Sequence, residues 1–296
     1  MEKILKTKIT NIGDPFILVY ESVYYHYSTS SNEGFKVFIS NDLINWEDKG
    51  LCYHHSKVGY ECFWAPEVYY LNDEFYMLFT SRNIDTGYLT LSLAKATSAL
   101  GIFKDLSDKP TFDFGYAAID GHLFKDDDGT IYMFYAKDCS LNIVDGNHIS
   151  QIYGVKLKND LVTLDGEPIL ISTPTEAYEG INSSWQWNEG PFVLKNNGIY
   201  YLSYSTNMYL DKKYCVCYST SSNPLGPYVK SPNNPILKYI DNVISGPGHN
   251  AYFRANNNSL MTSYHIHTNI DEPSGDRTTC FSKVFFKDNN LIIDYK

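Results

Sequence analysis

Residues 13–28, GDPFILVYESVYYHYS, open on a small and an acidic residue, run through an apolar segment, turn at Glu21-Ser22 and finish in an aromatic strand. The same order returns four times: APEVYYLNDEFYMLFTS at 65–81, IDGHLFKDDDGTIYMFYA at 119–136, NEGPFVLKNNGIYYLSYS at 188–205 and GPGHNAYFRANNNSLMTSYH at 246–265. Each phrase is two short strands of period two around a hairpin, a unit that cannot bury both of its faces alone. It needs copies of itself. Three phrases carry a carboxylic acid at the opening, Asp14, Asp120 and Glu189, expected in one common structural slot. Superposing that slot around an axis would gather three acids at one place.

A second strand, a turn and a closing edge follow each aromatic strand, in KVFISNDLINWED at 36–48, LTLSLAKATSALGIFKD at 89–105, SQIYGVKLKNDLVTLDG at 150–166, YCVCYSTSSNPLGPYVK at 214–230 and TCFSKVFFKDNNLIID at 279–294. Openings roughly 50 to 70 residues apart suit a four-stranded propeller blade with its loops. The expected fold is all-β, one five-bladed β-propeller catalytic domain over residues 1–296, with the openings at one mouth of the channel. No linker divides the chain.

The 296 residues are 43% hydrophobic, with 26 Tyr and 16 Phe, which is ample for a core and favours strand over helix. Against 34 Asp and Glu stand 24 Lys and Arg, a formal charge of -10 without a basic cluster. This argues against nucleic acid or an anionic membrane and leaves a small neutral ligand as the expected partner. The N-terminus lacks an apolar segment of signal-peptide length, so a cytoplasmic location, or a leader already removed, is expected. No stretch approaches the ~20 apolar residues of a membrane span. The six cysteines have no metal-ligand spacing, and Cys215 and Cys217 alternate on one strand face, which reads as buried thiols.

Acids buried together raise at least one pKa, because desolvation and a like charge both disfavour ionisation. One acid then keeps its proton as general acid, while a better solvated one stays ionised as base. Hydrolysis of a glycosidic bond uses such a pair.

The openings Gly13-Asp14-Pro15-Phe16, Trp64-Ala65-Pro66-Glu67, Ile119-Asp120-Gly121-His122, Glu189-Gly190-Pro191 and Gly246-Pro247-Gly248-His249-Asn250 resemble, in order and over essentially the whole chain, the blade-opening motifs of glycoside hydrolase family 43. The resemblance implies an inverting β-xylosidase, α-L-arabinofuranosidase or arabinanase on a five-bladed propeller. It implies that Asp14 is the general base, Glu189 the general acid, and Asp120 the acid that orients Glu189 and helps set its pKa. The neighbouring Trp185 and Trp187 give Glu189 an apolar setting. His249 is implied to contact substrate or, through water, a calcium ion in the central channel; no other cofactor is expected. Arg277 resembles the arginine that reaches the sugar subsite.

Trp64 is placed to stack on a sugar face, Phe35, Trp185 and Trp187 are candidates for the wall, and Phe35 is taken with Trp64 as a substrate contact. Glu67 is a fourth acid, read as lying behind the others. Asp126-Asp127-Asp128-Gly129 lacks the distal glutamate of a calcium loop and reads as a hairpin turn.

Two departures bear on substrate. Gly121 stands where many relatives have a proline, and no C-terminal β-sandwich, as in many family β-xylosidases, follows the fifth phrase. The expectation is therefore release of terminal α-L-arabinofuranosyl residues from plant-cell-wall oligosaccharides, with β-D-xylosyl release as runner-up. The alternatives are an endo-arabinanase and, in another class, a non-catalytic carbohydrate-binding propeller. A retaining fructan-hydrolase reading is suggested only by Glu61-Cys62.

Overall fold

Aromatic and β-branched runs form strands, and short polar turns between them fix antiparallel neighbours. The computed structural model describes residues 3–296; Met1 and Glu2, part of the N-terminal stretch read for a leader, lie outside them. Among the described residues the only helical element is one 3-10 turn at Ala177–Glu179.

Five antiparallel sheets follow one another along the chain. The first is built from Gly13–Tyr20, Val23–Thr29, Gly34–Ser40 and Glu47–His54. The second has Trp64–Leu71, Glu74–Arg82, Leu89–Ala96 and Lys104–Asp105. Ala118–Lys125, Ile131–Lys137, Gln151–Leu157 and Ile169–Ser172 form the third. Asn188–Asn196, Ile199–Thr206, Cys215–Ser221 and Val229–Lys230 form the fourth. In the fifth, Gly248–Arg254 and Leu260–His267 lead to Arg277–Lys287, whose outer edge pairs with both Asn290–Asp294 and the N-terminal Leu5–Lys6. The opening strand of each sheet lies beside that of the next, and the fifth beside the first.

The strands alternate their side chains between the two neighbouring seams. In Ile131–Lys137, Ile131, Met133 and Tyr135 join Leu78, Leu91 and Leu93 of the second sheet, whereas Phe134 joins Val193, Leu202 and Tyr204 of the fourth. Ile17 and Tyr24 meet Phe253 and Phe281 across the seam that closes the order. Phe35 belongs to this core and is no substrate contact: it is fully buried against Tyr53, Phe63 and Phe79. Its side chain faces a seam between sheets, away from the row of opening strands.

All six cysteines are free thiols, five of them buried. Asp126 and Gly129 close a hairpin turn, with Gly129 donating its N–H to the Asp126 carbonyl, as expected. A three-stranded sheet of Ile143–Val144, Asn147–Ile149 and Trp185–Gln186 stands outside the five.

Candidate active site

Every opening strand breaks register with its hairpin partner at the same point: after Gly13, Trp64, Ile119, Glu189 and Gly248. The next residue is left-handed each time, with φ of 55° at Asp14, 45° at Ala65, 57° at Asp120, 54° at Gly190 and 47° at His249. A bulge of this kind re-aims side chains and costs a non-glycine residue about 1–2 kcal/mol. The repeat therefore has two adjacent positions that supply one cavity, lined by Asp14, Trp64, Ile119, Asp120, Glu189 and His249.

This corrects the expected common slot. Asp14, Asp120 and His249 occupy the left-handed position, but Glu189 sits one residue earlier, where the other phrases have Gly13, Trp64, Ile119 and Gly248. Two of these are glycines for lack of room. A Cβ on Gly13 would collide with the Arg277 guanidinium, and one on Gly248 with the Tyr214 ring.

The backbone N–H of the left-handed residue is held by the preceding sheet. Ala65 donates to Thr29 Oγ1 at 2.9 Å, Asp120 to Thr80 Oγ1 at 3.0 Å, His249 to Ser205 Oγ at 2.7 Å and Asp14 to His265 Nδ1 at 3.2 Å. These acceptors all stand opposite the bulge on a second strand. In the third sheet that place is Ala136, which has no acceptor to offer. Gly190 donates instead to Asp120 Oδ2, at 3.0 Å. The one gap in the ring of side-chain acceptors is filled by an acid of the site, which ties Asp120 to the residue after Glu189.

Asp14, Asp120 and Glu189 share a cavity of about 240 Å³ with Trp64, Trp187, Tyr209, Tyr214, His249, Arg277 and Asp138. Asp14 Oδ1 accepts from Arg277 Nη1 at 3.1 Å and lies 3.3 Å from His249 Nδ1. Its Oδ2 accepts from Thr29 Oγ1 at 2.5 Å. Because Thr29 already accepts from Ala65, its own hydrogen is left for the carboxylate. Burial works to raise the pKa of Asp14, but Arg277, His249 and Thr29 outweigh it and hold the group well below the usual carboxylate range. His265, accepting through Nδ1, carries its hydrogen on Nε2, which is buried without a partner; burial drives its pKa far down and keeps it neutral.

Glu189 has the opposite surroundings. Burial pushes it up to about 8, with the Asp14 and Asp138 charges adding, against one hydrogen bond from Tyr214 Oη to Oε1 at 2.7 Å. Tyr214 stacks parallel on His265, so one ring supports both halves of the site. Burial also raises Asp120 to about 7, opposed by His249 and assisted by Glu189 and Asp14.

Trp64 and His249 thus lie in the cavity, as expected, and Arg277 packs its guanidinium 4.9 Å from the centre of the Tyr209 ring. Trp187 lines the cavity, while Trp185 stands in an adjoining groove. Glu67 lies outside, paired with His122 Nδ1 at 2.8 Å, and His122 Nε2 accepts from the Val193 N–H. Glu61 is on the surface, paired with Arg82. Thr29, Asp138, Tyr209 and Tyr214 escaped the sequence reading because all four lie outside the phrase openings from which the acids were read.

Calcium takes six to eight oxygen ligands. Among the described residues no group of three or more His, Cys, Asp or Glu side chains could hold a metal ion, and His249 turns Nδ1 onto Asp14. These side chains by themselves do not form a calcium cage.

The family model for glycosyl hydrolases family 43 matches residues 8–292. A crystal structure of a thermostable family-43 glycoside hydrolase is 46% identical, with a TM-score of 0.95 over 99% of this chain and 96% of that one. One of an endo-1,4-beta-xylanase from Bacteroides thetaiotaomicron is 31% identical, with a TM-score of 0.84 over 96% of this chain and 95% of that one. A beta-D-galactofuranosidase of Aspergillus niger is 28% identical over 95% of this chain and 81% of its own length.

Proposed function

Because this chain belongs to family 43 of the glycosyl hydrolases, we propose that it removes terminal α-L-arabinofuranosyl residues from plant-cell-wall oligosaccharides with inversion at the anomeric carbon. The observation that carries this reading is the opposite ionisation of two acids in one small cavity: Asp14 held as carboxylate, Glu189 pushed up to about 8. Asp14 takes a proton from water as that water attacks the anomeric carbon. Glu189 gives its proton to the departing glycosidic oxygen. Asp120, bonded to the Gly190 N–H, fixes the backbone beside Glu189. Trp64 offers a stacking face, while His249 and Arg277 brace Asp14 from the side opposite Thr29.

A cavity of about 240 Å³ suits one terminal sugar ring, which favours exo over endo action. The furanose preference is supported by the galactofuranosidase relative, whose substrate is also a five-membered ring. Release of β-D-xylosyl residues is the second reading, favoured by the xylanase among the similar structures. We read the five sheets as the blades of one propeller, supported by the cyclic order of their opening strands.

The test is a panel of aryl α-L-arabinofuranosides and β-D-xylosides with matching oligosaccharides, the first-formed anomer being followed by proton NMR. Arabinose of inverted configuration is expected. Retained configuration, or undiminished hydrolysis by both Asp14→Asn and Glu189→Gln, would overturn the assignment.

A further inference from the structure

The chain leaves the third sheet at Ser172 and enters the fourth at Asn188, and the two ends of this connection are bonded to each other. Ser172 Oγ donates to Asn188 Oδ1 at 2.7 Å. The other side of the Asn188 amide is taken up as well, its Nδ2 donating to the Trp187 carbonyl at 2.9 Å and to Glu179 Oε1 at 3.2 Å. Thr206 Oγ1 donates to the same Trp187 carbonyl at 2.7 Å, and the Asn188 N–H donates to the Ser150 carbonyl at 3.1 Å. The residue before Glu189 is thus fixed by its side chain and by its backbone.

Glu179 stands in the middle of the connection and is completely buried, as is Asn188. It ends the 3-10 turn, and its Oε2 reaches back to accept from the Thr175 and Glu176 N–H groups at 2.7 and 2.9 Å, the reciprocal capping of a short turn. Lys230, on the outer strand of the fourth sheet, pairs with the same oxygen and also donates to the Thr173 carbonyl at 2.8 Å and to Thr175 Oγ1 at 3.0 Å. Besides Asn188, Oε1 accepts from Tyr204 Oη at 2.8 Å. A carboxylate without exposure is costly to desolvate, and well-packed apolar side chains of similar volume serve stability as well or better. What five converging donors give it over them is a fixed direction. Neither Glu179 nor Asn188 lines the catalytic cavity, so any effect on the reaction passes through a neighbour.

We propose that Glu179 is a positioning residue for Glu189, acting through Asn188. The inference rests on the reading of Glu189 as general acid. On the far side of Glu189, Asp120 holds the Gly190 N–H at 3.0 Å. On the near side, Glu179 and Ser172 hold the two halves of the Asn188 amide. The general acid is clamped through both of its chain neighbours, each tied to a carboxylate from outside its own strand. Such a clamp matters because a proton reaches a leaving oxygen from only a narrow range of positions. Loosening it costs proton delivery, and leaves the residues that line the cavity to bind the sugar as before.

Proton delivery is read by the leaving group, since a good one departs with less help from an acid. The test measures kcat and KM on aryl glycosides graded from dinitrophenyl to phenyl, for the unmodified protein, Asn188→Ala, Glu179→Gln, the two combined, and Glu189→Gln. In Glu179→Gln the amide oxygen is drawn to the donors around Oε2, which sets the new NH2 against that of Asn188. Each single variant is expected to lose about tenfold in kcat/KM on the phenyl glycoside and about threefold or less on the dinitrophenyl one, through kcat with KM little changed. The combined variant should lose no more than the worse single one, because both break one link. Ser172→Ala, which removes one bond at little change in volume, should show the same gradient at about twofold, and it decides the matter where the other variants do not fold. Equal losses on every glycoside, or none, would overturn the proposal, as would losses that multiply in the combined variant. If Glu189→Gln itself lost equally on every glycoside, the general-acid reading would fail and the proposal with it. A graded loss there, with a flat one in the other variants, removes the role of Glu179 alone.

Discussion

Asp14 and Glu189 stand in one cavity, yet the protein treats them in opposite ways. Around Asp14 it places a guanidinium, a threonine hydroxyl and a histidine, all facing the carboxylate. Around Glu189 it places tryptophan, a neighbouring acid and a single phenol. Burial raises the pKa of both, and only at Asp14 is it overcome. The difference is made by partners rather than by depth, so exchanging partners should exchange behaviour.

The sharpest way to break the comparison is to neutralise each acid. Asp14→Asn and Glu189→Gln are each expected to lose roughly a thousandfold or more in kcat, measured on an activated aryl glycoside. Their stabilities should move in opposite directions. Glu189 keeps a proton in the folded state that the unfolded chain releases, so native stability falls as pH climbs from the ordinary glutamate value of 4.5 to about 8. Glu189→Gln removes that loss and should raise Tm at alkaline pH. Asp14 titrates lower when folded, so its contribution is present above 3.8 and lost as pH falls below. Asp14→Asn also strands Arg277, which is expected to cost about 3–5 kcal/mol, read by denaturant titration at neutral pH.

A milder change alters partners and keeps the acids. Arg277→Met takes away the strongest opponent of burial at Asp14, so the acidic limb of the kcat/KM profile should move up by about one pH unit or more. Tyr214→Phe removes the hydrogen bond from the phenol to the Glu189 carboxyl, which opposes its raised pKa. The alkaline limb, expected near 8 in the unmodified protein, should move higher with a loss of kcat within about tenfold. The smallest effect is expected from Ala136→Ser, which supplies the missing acceptor opposite Gly190. If it draws the Gly190 N–H from Asp120, kcat should fall about two- to fivefold with KM unchanged.

The recurring phrase made the strands, their pairing and the five openings legible, because alternation and turn residues act locally. Asp14, Asp120 and Glu189 were legible as a group for the same reason. The one-residue offset of Glu189 was not, since a bulge is a matter of φ and the letters Glu-Gly-Pro do not show where the left-handed residue falls. Phe35 was misplaced because an aromatic residue on an inner hairpin reads alike whether it faces a seam or a sugar. Tyr214 and Asp138 lie outside the phrase openings, Tyr214 at the start of an outer-strand segment that reads as packing. Trp185 was visible as an aromatic near Glu189, but its stacking partner His148 sits 37 residues earlier in a hairpin unlike any other in the chain.

The N-terminal strand pairs with Arg277–Lys287, and beside that seam Ile12 bridges to Arg277 and Asn11 donates its N–H to Asp276. Arg277 and Asp14, the carboxylate it braces, are 263 residues apart in sequence. Loop closure over that span comes late in folding, because its entropy is recovered only when the intervening sheets are already packed. The Asp14 half of the site is then expected to form last, and recovery of hydrolysis during refolding should lag behind recovery of strand structure. Recovered hydrolysis would then time the joining of the first sheet to the fifth.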